Sequence, residues 1–150
     1  MTKQQLHSVY LGLGTNLGNR EENILQAYGY IEKKVGSIVR RSSPFHSEPW
    51  GFESKNAFVN TAVCVETPLS PREVLHATQE IERHMGRTQK SVGGVYHDRI
   101  IDIDILRYDD LHMQSEELTL PHPHISERPF VYEPLNEILL TTHKSILYNE

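Results

Sequence analysis

The hydrophobic repeat of this 150-residue chain switches between two residues and about 3.6 in the order two, 3.6, two, two, 3.6, two, and few folds satisfy that order. Val9, Leu11 and Leu13 alternate with Ser8, Tyr10 and Gly12, which predicts a strand over Ser8 to Leu13, broken by Gly14-Thr15-Asn16-Leu17-Gly18. From Asn19 to Val35 the residues Ile24, Tyr28, Ile31 and Val35 recur at helical spacing, and Gly36 is placed to end the helix in a left-handed cap. Ser37 to Ser43 and Phe58 to Glu66 read as strands, with a long loop around Glu48-Pro49-Trp50-Gly51 between them. Ser70-Pro71-Arg72-Glu73 spells a capping box that starts a second helix. Its buried stripe is Val74, Thr78, Ile81 and Met85, with Gly86 at its end and Gln79 and Glu82 sharing a neighbouring face. Arg87 to Arg99 has neither period, and Ile100 to Leu106 alternates once more, Ile101, Ile103 and Ile105 against Asp102 and Asp104.

Strand, helix, strand, strand, helix, strand is the order of an α+β, ferredoxin-like βαββαβ core, an antiparallel sheet with two helices packed on one face. No repeat or linker interrupts it, so residues 1–150 are expected to form a single domain. Leu118 to Leu135, crowded with Pro and His, reads as irregular, followed by a short apolar stretch and a polar tail. With 37% apolar and 23% charged residues, neither disorder nor low complexity fits. The start is polar and no apolar run reaches a membrane span of roughly 18–20 residues. The lone Cys64 precludes an intrachain disulfide and a thiolate metal cluster. These features lead us to expect a cytoplasmic protein with no membrane partner. A net charge of −5 argues against nucleic acid, so an anionic ligand must be held by a local basic cluster or through a cation.

Asp102 and Asp104 lie two apart on one strand, so their side chains point the same way with Cα atoms about 7 Å apart. At an effective dielectric near 20 their repulsion is on the order of 2 kcal/mol, to be relieved by water, a basic neighbour or a divalent cation. A solvated polar face and a Mg²⁺ site that shares substrate phosphates both fit the pair alone. Nearby Arg87, Lys90 and Arg99, and the apolar opposite face, favour a site. The glycines 12, 14 and 18 are spaced G-x-G-x-x-x-G, which is not the dinucleotide fingerprint and is most simply a tight turn; no P-loop pattern occurs. His122 and His124 raise a zinc alternative, which would need a carboxylate to join them. Trp50, Phe58, Tyr96 and Phe130 are packing aromatics or, alternatively, stack on a planar heterocycle.

Five ordered segments give the chain a specific resemblance. They are Gly14-Thr15-Asn16-Leu17-Gly18; Phe58-Val59-Asn60; Glu82 with Gly86-Arg87; Arg99-Ile100-Ile101-Asp102-Ile103-Asp104-Ile105-Leu106; and Pro121-His122-Pro123 with Arg128-Pro129-Phe130-Val131. Together, over roughly residues 8–138, they resemble the 6-hydroxymethyl-7,8-dihydropterin pyrophosphokinase family of folate biosynthesis.

The resemblance implies transfer of pyrophosphate from ATP to the hydroxymethyl group of 6-hydroxymethyl-7,8-dihydropterin, with AMP as the other product. It implies that Asp102 and Asp104 hold two Mg²⁺ ions on the triphosphate. Arg87, Arg99, His122 and Arg128 match positions that contact ATP phosphates or the departing AMP, with Lys90 also in the basic loop. Gln79 and Glu82 match nucleotide-side positions. Phe58 and Phe130 would sandwich the pterin, and Asn60, with backbone near Ser47 and Glu48, would pair with its polar edge. Where many relatives carry Trp-Gly-Pro-Arg, this chain has Tyr96-His97-Asp98-Arg99, so Tyr96 would replace the indole as a stacking cover. Arg87 and Arg99, with the aspartates, form the expected catalytic set, and a monomer is the expected state. The competing class is a non-catalytic nucleotide- or pterin-binding module of the same fold.

Overall fold

Val9, Leu11 and Leu13 point to one side of the first strand and are almost completely buried, so the rest of the architecture forms around them. In the computed structural model, residues 5–47, 57–86 and 100–148 are described, with side chains to residue 139 in the last stretch. The element order is β1 (His7–Thr15), α1 (Arg20–Lys34), β2 (Ser37–Arg41), β3 (Phe45–Ser47), β4 (Phe58–Thr67), α2 (Pro71–His84) and β5 (Asp102–Tyr108). A two-strand ribbon of β6 (Met113–Gln114) and β7 (Thr119–Leu120), a 3-10 turn at Ile125–Glu127 and α3 (Pro129–Tyr148) follow. The main sheet runs β2-β4-β1-β5, with β3 also on β4, and its described pairings are antiparallel. This is the expected α+β, ferredoxin-like core, with β3, the ribbon and α3 added to it.

The second helix begins at the cap the sequence predicts, and the first, expected from Asn19, is capped by that residue's own side chain. The Asn19 side chain accepts from Glu22 N, and the Ser70–Glu73 box closes in both directions, Glu73 N to Ser70 Oγ at 3.2 Å and Ser70 N to Glu73 Oε1 at 2.9 Å. Such a cap stabilises a helix by about 1 kcal/mol. Ile24, Tyr28 and Ile31 of α1 and Val74, Thr78 and Ile81 of α2 are all buried, as their spacing predicts. They cover the face of the sheet that carries Val9, Leu11, Val63, Ile103 and Ile105.

Gly36 is not a left-handed cap: among the described glycines only Gly18 and Gly86 have positive φ. Its lack of a side chain serves a close approach instead, since a Cβ there would lie 2.0 Å from the backbone oxygen of Glu66 on β4. The expectation of irregular chain through Leu135 also fails. Pro129 opens a helix, as its preset φ allows, and Pro134 sits within the early turns of a helix 20 residues long. Leu135 and Ile138 of α3 pack on Tyr10, Ala62, Cys64 and Leu106, so α3 covers part of the second face of the sheet. No described helix is long and apolar enough to cross a membrane.

Candidate active site

The second face of the sheet changes from apolar to polar beyond α3, and the strand register decides which side chains meet there. Residues directly opposite one another across antiparallel strands share a face. Phe45, Asn60, Gly14 and Asp102 form one such row across β3, β4, β1 and β5, and Ala62, Gly12 and Asp104 form the adjacent row. The two glycines therefore lie between the carboxylates of β5 and the side chains of β4. They belong to the strand and not to a turn. A Cβ on Gly14 would stand 2.8 Å from Asn60 Oδ1, so the close approach of that amide requires glycine. Asn60, 5% exposed, donates from Nδ2 to Ser47 Oγ at 3.0 Å, which joins β3 to the row. Phe58 precedes Asn60 by two residues and lies on the same face, 3.8 Å from where a Gly14 Cβ would be.

A cleft of about 320 Å³ runs along the free edge of β5. Gln79 and Glu82 of α2, Asp102 and Asp104, residues of the β6–β7 connection such as Ser115 and Leu118, and His122 all line it. The structure thus brings four of the predicted polar groups and His122 into one cavity. Glu82 is buried, and its Oε2 accepts the backbone N–H of Ile103 at 2.7 Å. Asp102 and Asp104 are half-buried on either side of that residue. Two carboxylates beside a glycine strip form an all-oxygen donor set that suits a Mg²⁺ ion completing its shell with phosphate and water. Among the described residues, no three His, Cys, Asp or Glu side chains gather as a metal-binding group. His124 Nδ1 lies 3.1 Å from Glu127 Oε2, but His122 does not join them in a three-ligand group, as the zinc alternative requires.

His122 is held by its backbone, since its N–H donates to Leu106 O at 2.9 Å. Its ring is held too. The N–H of His124 donates to His122 Nδ1 at 3.1 Å, so Nδ1 carries no proton and a neutral ring must be protonated at Nε2. Burial pushes the His122 pKa down to about 4, the positive charges of Arg128 and His124 push the same way, and Asp102 opposes them. At neutral pH His122 is thus a neutral N–H donor with a fixed tautomer. Arg128 is itself buried, just before the start of α3, and Phe130 is half-buried within the first turn. Glu48, Arg87, Lys90, Tyr96 and Arg99 lie outside the described residues.

Three contributors escaped sequence reasoning. Gly12 falls in the predicted strand but Gly14 read as the turn that breaks it, and the position of both opposite the aspartates is a property of register. The β6–β7 ribbon has strands of two residues each, too short for an alternation to register. The contact from Glu82 to a strand amide joins residues 21 apart in sequence, and no local pattern encodes it.

The sequence profile of the 7,8-dihydro-6-hydroxymethylpterin-pyrophosphokinase (HPPK) family matches residues 10–140. The 2-amino-4-hydroxy-6-hydroxymethyldihydropteridine pyrophosphokinase of Porphyromonas gingivalis is 48% identical over 136 residues, 90% of this chain and 92% of that protein. The enzyme of the same name from Bacillus subtilis is 37% identical over 90% of this chain and 80% of its own length. Among solved structures, Plasmodium falciparum HPPK-DHPS with pteroate superposes with a TM-score of 0.71 at 16% identity, over 90% of this chain. The chain spans 41% of that longer protein, and at such low identity the likeness concerns the fold alone.

Proposed function

This chain belongs to the 7,8-dihydro-6-hydroxymethylpterin-pyrophosphokinase family, and from that premise we propose how its residues divide the work. The reaction is transfer of pyrophosphate from ATP to the hydroxymethyl group of 6-hydroxymethyl-7,8-dihydropterin, a step of folate biosynthesis. The hydroxymethyl oxygen forms a bond to the β-phosphorus, the bond from that phosphorus to the α,β-bridging oxygen breaks, AMP departs, and the hydroxyl proton is released.

Asp102 and Asp104 hold two Mg²⁺ ions, and His122 and Arg128 face the phosphates. When bound, the metal supplies charge neutralisation on the polyphosphate oxygens. His122, neutral and protonated at Nε2, donates a hydrogen bond at neutral pH without exchanging its proton. Gln79 bounds the nucleotide side of the cleft, and Glu82 is hydrogen-bonded to the backbone between the two aspartates. Asn60, tied to Ser47, presents its amide to the polar edge of the pterin, and Phe58 and Phe130 flank the ring. Arg87, Lys90, Tyr96 and Arg99, with Glu48, are assigned to phosphate and pterin contacts on family resemblance. In-line transfer of this kind depends chiefly on positioning and fixed charge.

The row Asn60–Gly14–Asp102 carries this reading. It puts the Asn60 amide and the Asp102 carboxylate on one face, separated by a residue with no side chain, which supports reading one as a pterin-edge contact and the other as a cation ligand. Asp102→Ala or Asp104→Ala should each lower AMP formation at least about a hundredfold, the loss expected for a strong transition-state contact, with an unchanged circular dichroism spectrum. Near-normal turnover in either purified variant would overturn the metal assignment. Intact binding of ATP and pterin by the unaltered protein, with no AMP released, would favour the binding-module class.

A further inference from the structure

Glu82 sits where a nucleotide contact was expected, yet its carboxylate accepts a hydrogen bond from the protein's own backbone. Among the described strands, β5 pairs only with β1 and lies at the end of the main sheet. In an antiparallel pair, successive residues direct their amides alternately to the partner and away from it. The Ile103 N–H points to the free side, where it would otherwise be an unpaired donor beside the cleft. It is the one outward amide between Asp102 and Asp104. Below it, the Ile103 side chain is anchored in the core, 6% exposed, and above it the Glu82 carboxylate, 5% exposed, receives the amide at 2.7 Å.

We propose that Glu82 is a positioning residue: its carboxylate pins the Ile103 amide and thereby sets the spacing and aim of Asp102 and Asp104 toward the divalent cation. This inference rests on the assignment of the two aspartates to the metal. The reasoning is mechanical. Among the described residues no strand pairs with the outer side of β5 at Ile103, and the repulsion of two like charges on either side of it is best resisted by fixing the backbone between them. A charge-assisted hydrogen bond to a buried carboxylate is stronger than a neutral one, and it offsets the cost of burying Glu82. Glutamate at this place on α2 reaches the strand; aspartate, one methylene shorter, would not.

The test compares Glu82→Ala, Glu82→Asp and Glu82→Gln in the full chain, each assayed well below its own melting temperature. Partners that orient metal ligands typically change metal affinity or activity about 10- to 100-fold when removed. Glu82→Ala and Glu82→Asp should raise the Mg²⁺ concentration for half-maximal AMP formation at least about tenfold. Glu82→Gln keeps an acceptor oxygen at the same reach and should recover most of that loss. ATP binding measured without Mg²⁺ should stay within about twofold in all three, because the residue acts through the aspartates. Amide exchange at Ile103 should quicken in Ala and Asp and stay slow in Gln.

An unchanged Mg²⁺ requirement in Glu82→Asp, with Asp102→Ala inactive, would overturn the pin while leaving the metal site intact. Loss of Mg²⁺-free ATP binding would instead make Glu82 a direct nucleotide contact and overturn it equally. If Asp102→Ala itself retains turnover, the metal reading fails first. Should Glu82→Ala not fold, the Asp and Gln pair decides the question, since both keep the side chain polar.

Discussion

Replacing Gly14 by alanine adds one methyl group to the polar row, and the structure states what it meets. Its Cβ would lie 2.8 Å from Asn60 Oδ1, a separation that carbon and oxygen do not tolerate, so the amide must move. Moving it disturbs the 3.0 Å hydrogen bond from Asn60 Nδ2 to Ser47 Oγ. Overpacking of this kind costs about 1–3 kcal/mol, while alanine in place of glycine in a strand returns about 0.5–1 kcal/mol of backbone entropy. The net is a loss of about 1–2 kcal/mol, and at about 2–4 °C per kcal/mol for a chain of this size the melting temperature should fall by about 5 °C. The functional effect should be larger and more selective. If Asn60 pairs with the pterin edge, a displaced amide forfeits one hydrogen bond, about 1.4 kcal/mol, which is a tenfold rise in KM for the pterin alcohol. KM for ATP and kcat at saturating pterin should change little. Differential scanning fluorimetry and steady-state kinetics with each substrate varied read these quantities separately. In an Asn60→Ala background the same change should add almost nothing, because the clashing oxygen is gone. A normal pterin KM alongside a lowered melting temperature would show that Asn60 does not read the substrate. An unchanged protein by both measures would refute the steric argument itself.

Two further changes probe the site and the frame separately. The His122 pKa lies near 4, below the ordinary 6.5, so the unfolded chain takes up this proton first as pH falls. The stability tied to neutral His122 should be complete above about pH 6.5 and drain away as pH falls toward about 4. Chemical denaturation across that range should show His122→Gln flattening the pH dependence, and an unaltered slope would refute the burial argument. Gly36→Ala would drive a Cβ to 2.0 Å from the Glu66 backbone oxygen, where no side-chain rotation relieves it. It should cost about 3 kcal/mol, the upper end for overpacking, and lower the melting temperature by about 6–12 °C with pterin KM unchanged. A melting temperature within a degree or two of the parent would show that the α1–β2 junction can separate from β4.

Arg40 connects the apolar part of the second face to the sheet edge: its Nη2 donates to Tyr10 OH at 3.2 Å and approaches Cys64 Sγ at 3.4 Å. Burial raises the Cys64 thiol pKa despite that guanidinium, so the sulfur is a protonated, inert packing group at neutral pH. This agrees with a lone cysteine that takes no part in chemistry.

Local chemistry determined whatever could be satisfied within a few residues. The cap at Ser70, the helical stripes from Ile24 to Ile31 and from Val74 to Ile81, and the alternation that sends Ile103 inward and Asp102 outward are all legible in the chain. Each depends on one period or one hydrogen bond closed nearby. The acid pair and His122 were also visible as residue types. Their meeting was not, because Gly14, Asn60 and Asp102 come together only through the register of three strands, and Glu82 finds Ile103 only once α2 packs beside β5. The prolines at 129 and 134 read as helix breakers, yet α3 forms because Leu135 and Ile138 find an apolar patch on the sheet's second face. Propensity is a sum over neighbours in sequence, whereas burial is a sum over neighbours in space. Where the two disagree, the larger apolar area decides.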